Sequence, residues 1–452
     1  MTLATEIAAF TTALDEQTIP PEVQEKARTC LLNAYGIALD GHATPYAPVV
    51  RRAALAMEGE VAGGATLLGD GRTTTIGGAC LGNAALFHGR AQEDTCGAAH
   101  FGTILIPLLT AMLEARRYPV ARLLPALVAG YEAGGLLERA YAGRTTPLGF
   151  RSSAIYGTIA AAAAAARMMD MPLAATAAAL ANAVSLTGGV LQSFADGTDE
   201  WRYQVGHVGR TGLVAAELAR AGSVSAPLAF EGRSGFVRAF AGVDCDVGEL
   251  SARLGNEWAL LRVAFKPYPV CAFNQTPVTA ALALREQLVG AGLQAVRVRM
   301  NPYETGYAGM DATGPFSTIS GTLMSIPFCI ATTLLHGVPD MRRMTTYDDP
   351  DVAALIERIR LVPDPDVPTL SAVIEADTGD GRRVVREQRM TPADYSYDRA
   401  TVSAMVRRIG REESVPDSAF DRIEAFVARL PDASVQEVVG AFALLQHAGA
   451  AA

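Results

Sequence analysis

The spacing of apolar residues changes near residue 265, and this change constrains the fold more than any other feature. Before it, apolar residues recur every three or four positions, which is the period of an α-helix. After it, the stretch 295–300 alternates apolar and charged residues, as a half-buried strand does. We therefore expect a mainly α protein, with a large all-α helical domain at 1–265 and 393–452 and a smaller α/β domain at 266–392.

Helix signals dominate the first part of the chain. Pro20 and Pro21 open one helix and Gly41 ends it, since proline favours the first turn and glycine the position after the last turn. Seven consecutive alanines at 160–166 predict a helix that its neighbours can approach closely. Helices are predicted at 103–115, 120–137, 153–169 and 208–221.

The second part of the chain carries signals for both helices and strands. Thr378-Gly379-Asp380-Gly381 predicts a hairpin turn, because glycine and aspartate adopt turn conformations readily. Strands are predicted at 295–300, 359–362, 370–377 and 382–389. Helices are predicted at 276–288, 317–335, 418–430 and 435–446.

Composition is typical of a tightly packed globular protein. Half of the 452 residues are apolar and 19% are charged, which is enough apolar material for a large core. The net charge is −9 and no basic stripe appears, so we expect no nucleic-acid partner. A small anionic substrate remains compatible with this charge, because a pocket needs only a few local cations.

The sequence predicts a cytoplasmic protein without a membrane partner. The first residues lack the basic and apolar regions of a signal peptide. Six scattered cysteines without CxxC spacing are typical of reduced thiols. The uncharged stretch 171–195 is long enough to span a bilayer, but Pro172, Asn182 and the pair Gly188-Gly189 favour buried helices instead.

The motifs of metal and cofactor enzymes are missing from the sequence. Gly69-Asp70-Gly71 lacks the third glycine of a dinucleotide-binding loop. No two of the six histidines have metal-ligand spacing, and no serine-hydrolase GxSxG motif occurs. We therefore expect no cofactor and no metal, which leaves a cofactor-independent enzyme or a protein without catalytic activity.

Two short stretches carry the residues suited to chemistry. Between Glu93 and His100 the chain places two carboxylates, a hydroxyl and an imidazole, which suit acid/base work on a carbon acid. Lys266 stands between an apolar run and two prolines that restrict the backbone, so its ammonium could hold a substrate carboxylate. The alternatives are a surface lysine, an ordinary loop histidine, and a helix N-cap at Asp94 and Thr95.

Several motifs, in the same order, resemble the MmgE/PrpD family, which includes 2-methylcitrate dehydratase, cis-aconitate decarboxylase and iminodisuccinate epimerase. The similarity covers nearly the whole chain. The stretches that carry it are Leu31-Leu32-Asn33-Ala34-Tyr35-Gly36, 83–95, His100-Phe101-Gly102, Gly149-Phe150-Arg151, 206–219, Lys266-Pro267-Tyr268-Pro269-Val270-Cys271 and 316–337.

This resemblance implies a two-domain fold, with a large all-α domain, a smaller α/β lid and the active-site cleft between them. It also implies a homodimer that needs no cofactor. Members of the family act on small di- and tricarboxylic acids, from which they remove or add a proton or lose CO₂ next to a carboxylate. A small-molecule carboxylate is therefore the expected substrate.

The residue-by-residue comparison with the family's motifs is mixed. The matching active-site positions are Asp94, Thr95, His100 and Lys266. At other positions this chain departs from the family, with Ala91 and Glu93 at two aspartates, Arg151 at the histidine of GFH, Trp201 at a lysine, and Gln275 at a histidine. Arg202, next to Trp201, matches a frequent arginine of the family. These departures put a plain copy of the dehydratase or decarboxylase activity in doubt.

Proton abstraction beside a carboxylate builds up negative charge, so such a site needs cations on the carboxylate and a base near the carbon. His100 is the predicted proton carrier, since imidazole titrates near neutral pH, and Asp94 and Lys266 are further predicted catalytic residues. The predicted substrate-binding residues are Thr95, Arg151, Arg202 and Gln275.

Two classes of function remain open from the sequence. The first is a lyase or isomerase acting on a small polycarboxylate. The arginine at position 151 favours an epimerase, an isomerase or a lyase with an unusual substrate, because arginine cannot take part in proton transfer. The second class is a catalytically inactive family member that acts as a binding or regulatory protein.

Overall fold

Helices dominate this protein, whose computed structural model describes residues 1–288 and 292–448. The structure is 60% helical and 9% strand, which confirms the predicted mainly α fold with a smaller α/β part. The α-helices of the described residues are α1 (Leu3–Ala13), α2 (Pro21–Asp40), α3 (Tyr46–Glu58), α4 (Ile76–His88), α5 (Gly102–Arg116), α6 (Leu123–Thr145), α7 (Ser152–Met168), α8 (Leu173–Leu186), α9 (Gln192–Ala195), α10 (Glu200–Arg220), α11 (Val247–Arg253), α12 (Gln275–Gln287), α13 (Pro302–Thr305), α14 (Ile319–Met324), α15 (Ile326–His336), α16 (Met341–Met344), α17 (Pro350–Ile356), α18 (Arg399–Glu412), α19 (Asp417–Ala428) and α20 (Val435–Ala448). The strands are β1 (Ala65–Thr66), β2 (Thr73–Thr74), β3 (Leu293–Met300), β4 (Ile359–Pro363), β5 (Ser371–Thr378) and β6 (Arg383–Arg389).

The chain divides into two compact units. The first comprises Met1–Val190, Arg202–Phe265 and 397–448, and its helices α18 and α19 pack against α2. The second comprises Leu191–Trp201 and Lys266–Ser396. Compared with the predicted domains, the second unit also contains the short stretch that ends at Trp201 and extends by four residues beyond 392.

Small residues bring helices close together in the core of the first unit. All seven alanines at 160–166 of α7 are fully buried. A Cβ atom at Gly134 of α6 would lie 2.8 Å from the Cβ atom of Ala160, and one at Gly212 of α10 would overlap Ala161. Both neighbouring helices therefore approach the alanine run at a separation that glycine allows and larger residues do not. This confirms the predicted close packing around α7.

Most predicted helices are confirmed within a few residues, and the clearest exception is the predicted helix at 317–335. The structure divides this stretch into α14 and α15, and the single-helix prediction was wrong. Ser325 separates the two helices with an extended backbone, and its hydroxyl accepts a hydrogen bond of 3.0 Å from the backbone N–H of Phe328. Pro327 stands in the first turn of α15, where proline is favoured, so the apolar pattern hides a new helix start.

The second unit contains a four-stranded sheet in the order β4-β3-β5-β6. Strand β3 is parallel to β4 and antiparallel to β5, while β5 and β6 form the predicted hairpin. Val296 and Val298 of β3 are fully buried, whereas Arg297 pairs with Glu375 of β5 at 3.0 Å. The alternation of apolar and charged residues therefore marks the two faces of the sheet, as predicted.

One helical segment among the described residues, Val120–Leu148, is long and apolar enough to cross a membrane. Because 83% of its most apolar window is buried inside the protein, it has the burial of a core helix. The stretch 171–195 does not form one long helix, since it contains the 14-residue helix α8 and the four-residue helix α9.

Candidate active site

A cluster of titratable side chains lies in the first unit, where the loop 89–101 runs beside the start of α7. Helix α4 ends at His88 and α5 begins at Gly102, so the loop between them carries most of the predicted site residues. Arg151 directly precedes α7 and has an extended backbone. The cluster therefore combines residues that are about fifty positions apart in the sequence.

His100 lies at the accessible side of this cluster, with 17% of its side chain exposed. Its Nδ1 atom is 3.0 Å from the backbone oxygen of Asp94 and 3.3 Å from Oε1 of Glu93. The backbone N–H of His100 donates to Oγ of Ser153, in the first turn of α7, at 3.0 Å. Because both neighbours of Nδ1 are acceptors, we assign the ring proton to Nδ1. Proton exchange with a substrate therefore falls to Nε2.

Glu93 lies between two imidazole rings. Its Oε2 atom is 3.1 Å from Nδ1 of His88, and its Oε1 atom faces His100. The two ring centroids are 5.3 Å apart. Glu93 and His88 are each 1% exposed, so their interaction is shielded from water and stronger than a surface pair.

Arg151 is the fourth member of the cluster and is almost completely buried, at 2% exposed. Its Nη2 atom lies 2.7 Å from Nε2 of His88, and its Nη1 atom donates to Oε1 of Gln204 on α10 at 3.0 Å. The guanidinium therefore has protein partners on both of its terminal nitrogens. That Arg151 holds a substrate carboxylate stays a prediction.

Asp94 is held on the opposite side of the loop by α6. Its Oδ2 atom accepts a hydrogen bond of 2.6 Å from the hydroxyl of Tyr131. Burial, together with the nearby charge of Asp94, raises the pKa of the Tyr131 phenol well above its usual value, so the phenol stays protonated and donates. The alternative prediction of an N-cap at Asp94 and Thr95 was wrong, because α5 has Phe101 at that position.

Thr95 joins the loop to the segment that precedes Lys266 in the sequence. Its backbone N–H and C=O form two hydrogen bonds of 2.9 Å with Ala264. Earlier in the same segment, the backbone N–H groups of Ala259 and Leu260 donate hydrogen bonds to the carboxylate of Glu132 on α6. Burial raises the pKa of Glu132 to about 7, although these two hydrogen bonds oppose the shift. The segment 259–264 is therefore held by α6 at its start and by the loop 89–101 at its end.

Ala91 has an unusual backbone conformation in the same loop. Its φ angle of 57° lies in the left-handed region, which costs a non-glycine residue about 1 kcal/mol. The resembling family carries an aspartate at this position, so this chain lacks a carboxylate at the bend.

Two of the predicted substrate-binding residues, Arg202 and Gln275, form hydrogen bonds with backbone groups. Arg202 is fully buried, lies 3.9 Å above the ring of Tyr46 and donates to the backbone oxygen of Gly89 at 3.4 Å. In the second unit, the amide of Gln275 donates to the backbone oxygens of Tyr268 and Val270 and accepts from the N–H of Tyr268. These contacts hold loops in place, and a role of either residue in substrate binding stays a prediction.

The chain contains only two lysines among 38 basic residues, and both are buried. Lys266, which is 3% exposed, begins the second unit. In the first unit, the Nζ atom of Lys26 lies 4.5 Å from the ring centroid of Phe265. Burial lowers the pKa of Lys26, and the charges of Cys30 and Asp94 oppose this shift. The ammonium group of either lysine can place a compact positive charge where the protein excludes water.

Trp201, at the position of the family's other lysine, is a packing residue of the second unit. It stacks on Phe194 with ring centroids 5.2 Å apart, and its Nε1–H donates to Oγ of Ser320. No cation replaces the lost lysine at that position.

Sequence reasoning missed His88 and Lys26. His88 stands inside the motif stretch 83–95, and this was the signal that could have identified it. Lys26 carries a weaker signal, namely that lysine is almost absent from a chain rich in arginine. Its neighbours in the sequence look like an ordinary helix face.

A separate cavity of about 830 Å³ lies in the second unit. Its polar lining includes Arg285, Asp351 and Arg358, all of them exposed and of mixed charge. None of the predicted site residues lines it, so size alone does not identify the chemical site here. The predicted acid/base residues lie in the shielded imidazole cluster around His100, which has the positioned titratable groups that such chemistry needs.

The cluster around His100 is suited to proton transfer on a carbon acid. Its imidazole has a fixed Nδ1 proton and a carboxylate partner that can stabilise the imidazolium form. Within the described residues, no group of three or more His, Cys, Asp and Glu side chains could hold a metal ion. The prediction that the protein works without a metal stays a prediction.

Comparison with known proteins identifies related chains. Residues 5–246 match the MmgE/PrpD N-terminal domain, and residues 268–402 match the MmgE/PrpD C-terminal domain. The chain is 24% identical over 369 residues to a cis-aconitate decarboxylase of Aspergillus terreus, which covers 77% of this chain and 74% of that protein.

Two further relatives match over shorter stretches. The chain is 27% identical over 277 residues to the "cis-aconitate decarboxylase-like protein oryM" of Aspergillus oryzae, covering 58% of this chain and 57% of that protein. It is 29% identical over 215 residues to the cis-aconitate decarboxylase of Homo sapiens, covering 46% of this chain and 44% of that protein. These two matches span about half the length of the relatives.

Proposed function

The chain belongs to the MmgE/PrpD family, and we propose that it is a cofactor-independent lyase that moves a proton at a carbon next to a carboxylate of a small di- or tricarboxylic acid. The observation that carries this proposal is the pairing of His100 with Glu93 in a buried cluster. Relatives named as cis-aconitate decarboxylases support the lyase class and a carboxylate substrate.

His100 is the proposed proton carrier. As a base, its Nε2 atom takes the proton from the carbon next to the carboxylate, and the electron pair moves into the carboxylate to give an enediolate. If the hydroxyl on the neighbouring carbon then leaves with a proton from the imidazolium of His100, water and an alkene form and the ring returns to its neutral state. In a decarboxylation, the electron pair of the breaking C–C bond stays on the substrate when CO₂ leaves, and the protonated ring of His100 delivers the proton. In both cases Glu93 stabilises the imidazolium.

Lys266 is the proposed ligand of a substrate carboxylate. The other two predicted cations, Arg151 and Arg202, contact protein groups in the first unit and are poorly suited to this task. A lysine ammonium is a compact charge that favours an enediolate more than the starting acid, because the enediolate carries more negative charge. Thr95 remains a proposed substrate ligand on the same loop as His100.

An isomerase or epimerase is the second candidate. Arg151 favours it, because the non-titrating guanidinium leaves the buried cluster with one proton carrier fewer than a histidine there would give. A single imidazole that removes a proton and returns it to the opposite face is enough for an epimerisation. We also propose that the protein acts as a cytoplasmic homodimer and binds neither nucleic acid nor membrane.

The test is incubation of the purified protein with a panel of acids, followed by NMR of the products. The panel contains cis-aconitate, citrate, 2-methylcitrate, iminodisuccinate and tartrate. A new alkene together with loss of water or CO₂ from any of them supports the lyase. Inversion of a carbon centre without net loss of substrate favours the isomerase instead.

The variant His100→Gln serves as the control in every assay. It keeps the size of the side chain but cannot carry a proton, so it should abolish whichever activity the wild type shows. If the wild type binds an acid by calorimetry but converts no member of the panel, the proposal fails in favour of an inactive binding protein.

A further inference from the structure

Arg151 fixes the protonation of His88. A guanidinium only donates hydrogen bonds and stays charged at any pH that proteins tolerate. Because its Nη2 atom lies 2.7 Å from Nε2 of His88, that nitrogen must be the acceptor. His88 is therefore neutral, with its proton on Nδ1, which faces Oε2 of Glu93 at 3.1 Å.

This protonation state determines the charge of Glu93. A neutral His88 turns its Nδ1 toward the carboxylate at 3.1 Å but cannot neutralise it, so Glu93 keeps its negative charge. The other oxygen of the carboxylate faces Nδ1 of His100 at 3.3 Å. A continuous line of polar contacts thus runs from Arg151 through His88 and Glu93 to His100, the proposed proton carrier.

We propose that Arg151 is a positioning residue that acts through His88 and Glu93 on His100, and that it does not bind the substrate. This inference rests on the proposed function only for its kinetic consequences. By holding His88 neutral, Arg151 reserves the charge of Glu93 for the imidazolium form of His100. The buried guanidinium, which has partners on both terminal nitrogens, is well placed for this role.

Other charged and titratable groups also border the cluster in the first unit. They are Lys26 on α2, Asp94 on the loop, Tyr131 on α6 and Arg202 on α10. Tyr131 is bonded to Asp94, and Arg202 is bonded to the backbone of Gly89. A substitution at Arg151 leaves these contacts in place, so its effect should reach His100 through His88.

Removal of the guanidinium has two opposite electrostatic effects. Loss of a buried positive charge by itself would make protonation of His100 easier. In Arg151→Met, however, no guanidinium prevents protonation of Nε2 of His88. Because this ring also lies beside the carboxylate of Glu93, it takes up a second proton. The positive charge then sits on a ring whose centroid is 5.3 Å from that of His100, and His100 protonates at lower pH.

The test is NMR of ¹⁵N-histidine-labelled protein between about pH 5 and about pH 9, where free imidazole changes its charge. The wild type should show His88 as the neutral Nδ1–H tautomer throughout. In Arg151→Met, His88 should titrate and the midpoint of His100 should move to lower pH. Arg151→Lys, which keeps a donating cation, should restore the neutral His88. Assignment uses His88→Gln and His100→Gln, since the chain has six histidines.

Arg167→Met is the matched control, because Arg167 lies at the other end of α7 and donates to the backbone oxygen of Leu14. This variant should leave both histidine titrations unchanged. The inference is overturned if His88 is the Nε2–H tautomer or an imidazolium in the wild type. It is also overturned if Arg151→Met leaves His88 neutral and the midpoint of His100 in place.

Kinetics separate the inference from the proposed function. Arg151→Met should lower kcat by about 10-fold or more, with KM changed by less than about 3-fold, because no substrate contact is lost. A rise in KM at constant kcat would instead identify Arg151 as a substrate ligand and contradict the inference. If the wild type turns over none of the acids, the proposed function fails while the NMR result still decides the inference.

Discussion

The Oε1 atom of Glu93 lies 3.3 Å from Nδ1 of His100, next to the backbone oxygen of Asp94, which is 3.0 Å from the same nitrogen. These two acceptors hold the proton on Nδ1 and leave Nε2 for proton exchange. The carboxylate can also stabilise the ring once the ring has taken a proton. The loop 89–101 therefore carries both the proposed proton carrier and a negative charge that can balance it.

Glu93→Gln tests this pairing. The amide keeps the shape of the side chain but loses the negative charge, so the imidazolium form of His100 becomes harder to reach. We expect kcat to fall by about 10-fold or more and the acid limb of the pH–rate profile to move to lower pH. Glu217→Gln, at an exposed ion pair with Arg116, is the control and should behave like the wild type. An unchanged profile in Glu93→Gln would show that the carboxylate does not act on His100.

Gly102→Ala tests the packing behind Asp94. A Cβ atom at this position would overlap Oδ1 of Asp94 and lie 3.0 Å from the hydroxyl of Tyr131. Asp94 must then move, so we expect turnover to fall at least about 10-fold and stability to fall by about 1–3 kcal/mol.

Gly143→Ala is the matched control within α6. A Cβ atom there would meet nothing within 4 Å, and the glycine lies inside a helix. Its activity should stay at the wild-type level, and its stability should be equal or higher by about 0.5–1 kcal/mol. Equal activity and melting temperature in both variants would refute the proposed role of the Asp94 environment.

Lys266→Met tests the proposed carboxylate ligand. Methionine keeps much of the apolar stem but removes the charge, so a charge-assisted hydrogen bond is lost. We expect KM for the best acid of the panel to rise about 10-fold or more. Lys266→Arg keeps the charge and should recover part of this loss. An unchanged KM and kcat in Lys266→Met would exclude Lys266 from the site.

The pH dependence of stability can be tested at Glu304 in the second unit. Glu304 is fully buried, and its carboxylate accepts from the backbone N–H of Leu370 at 2.7 Å. Burial raises its pKa from 4.5 to about 7, although this hydrogen bond opposes the shift. The folded state thus binds the proton more tightly, so the stability contributed by Glu304 is complete below about pH 4.5 and is lost as the pH rises through about 7.

Glu304→Gln removes this titration and keeps an acceptor for Leu370. We expect the stability of the variant relative to the wild type to increase between about pH 5 and about pH 8, by up to about 3 kcal/mol. Thermal unfolding at the two pH values measures it. A stability difference that stays constant with pH would contradict the raised pKa.

The helices could be predicted because their signals are local. The apolar period and the flanking Pro21 and Gly41 mark α2 without any knowledge of tertiary structure. The break at Ser325 could not be predicted with confidence from the same rules, because a continuous apolar run crosses it. Polar capping by one hydroxyl, together with Pro327, was enough to divide the helix there.

The candidate site could be predicted only in part. The motif stretches identified His100 and the loop around it, since these residues lie close together in the sequence. The contact between His88 and Arg151 joins residues 63 positions apart and depends on how α4 and α7 pack. For the same reason the sequence could not show that the side-chain amide of Gln275 donates hydrogen bonds to backbone oxygens of the loop at 268–271. The chemistry of a side chain is readable from sequence, whereas its partner is a property of the packing.

The central claim is that His100 moves a proton at a substrate carbon. Deuterium exchange in D₂O tests this claim most directly. The wild type and His100→Gln are incubated with the acid that the wild type converts best, and NMR follows deuterium at the carbon next to the carboxylate. We predict incorporation or product formation with the wild type and a rate lower by about 10²–10⁴-fold with His100→Gln, whose fold should be intact by circular dichroism. Equal rates for the two proteins would contradict the account, because the proton would then be moved by another group.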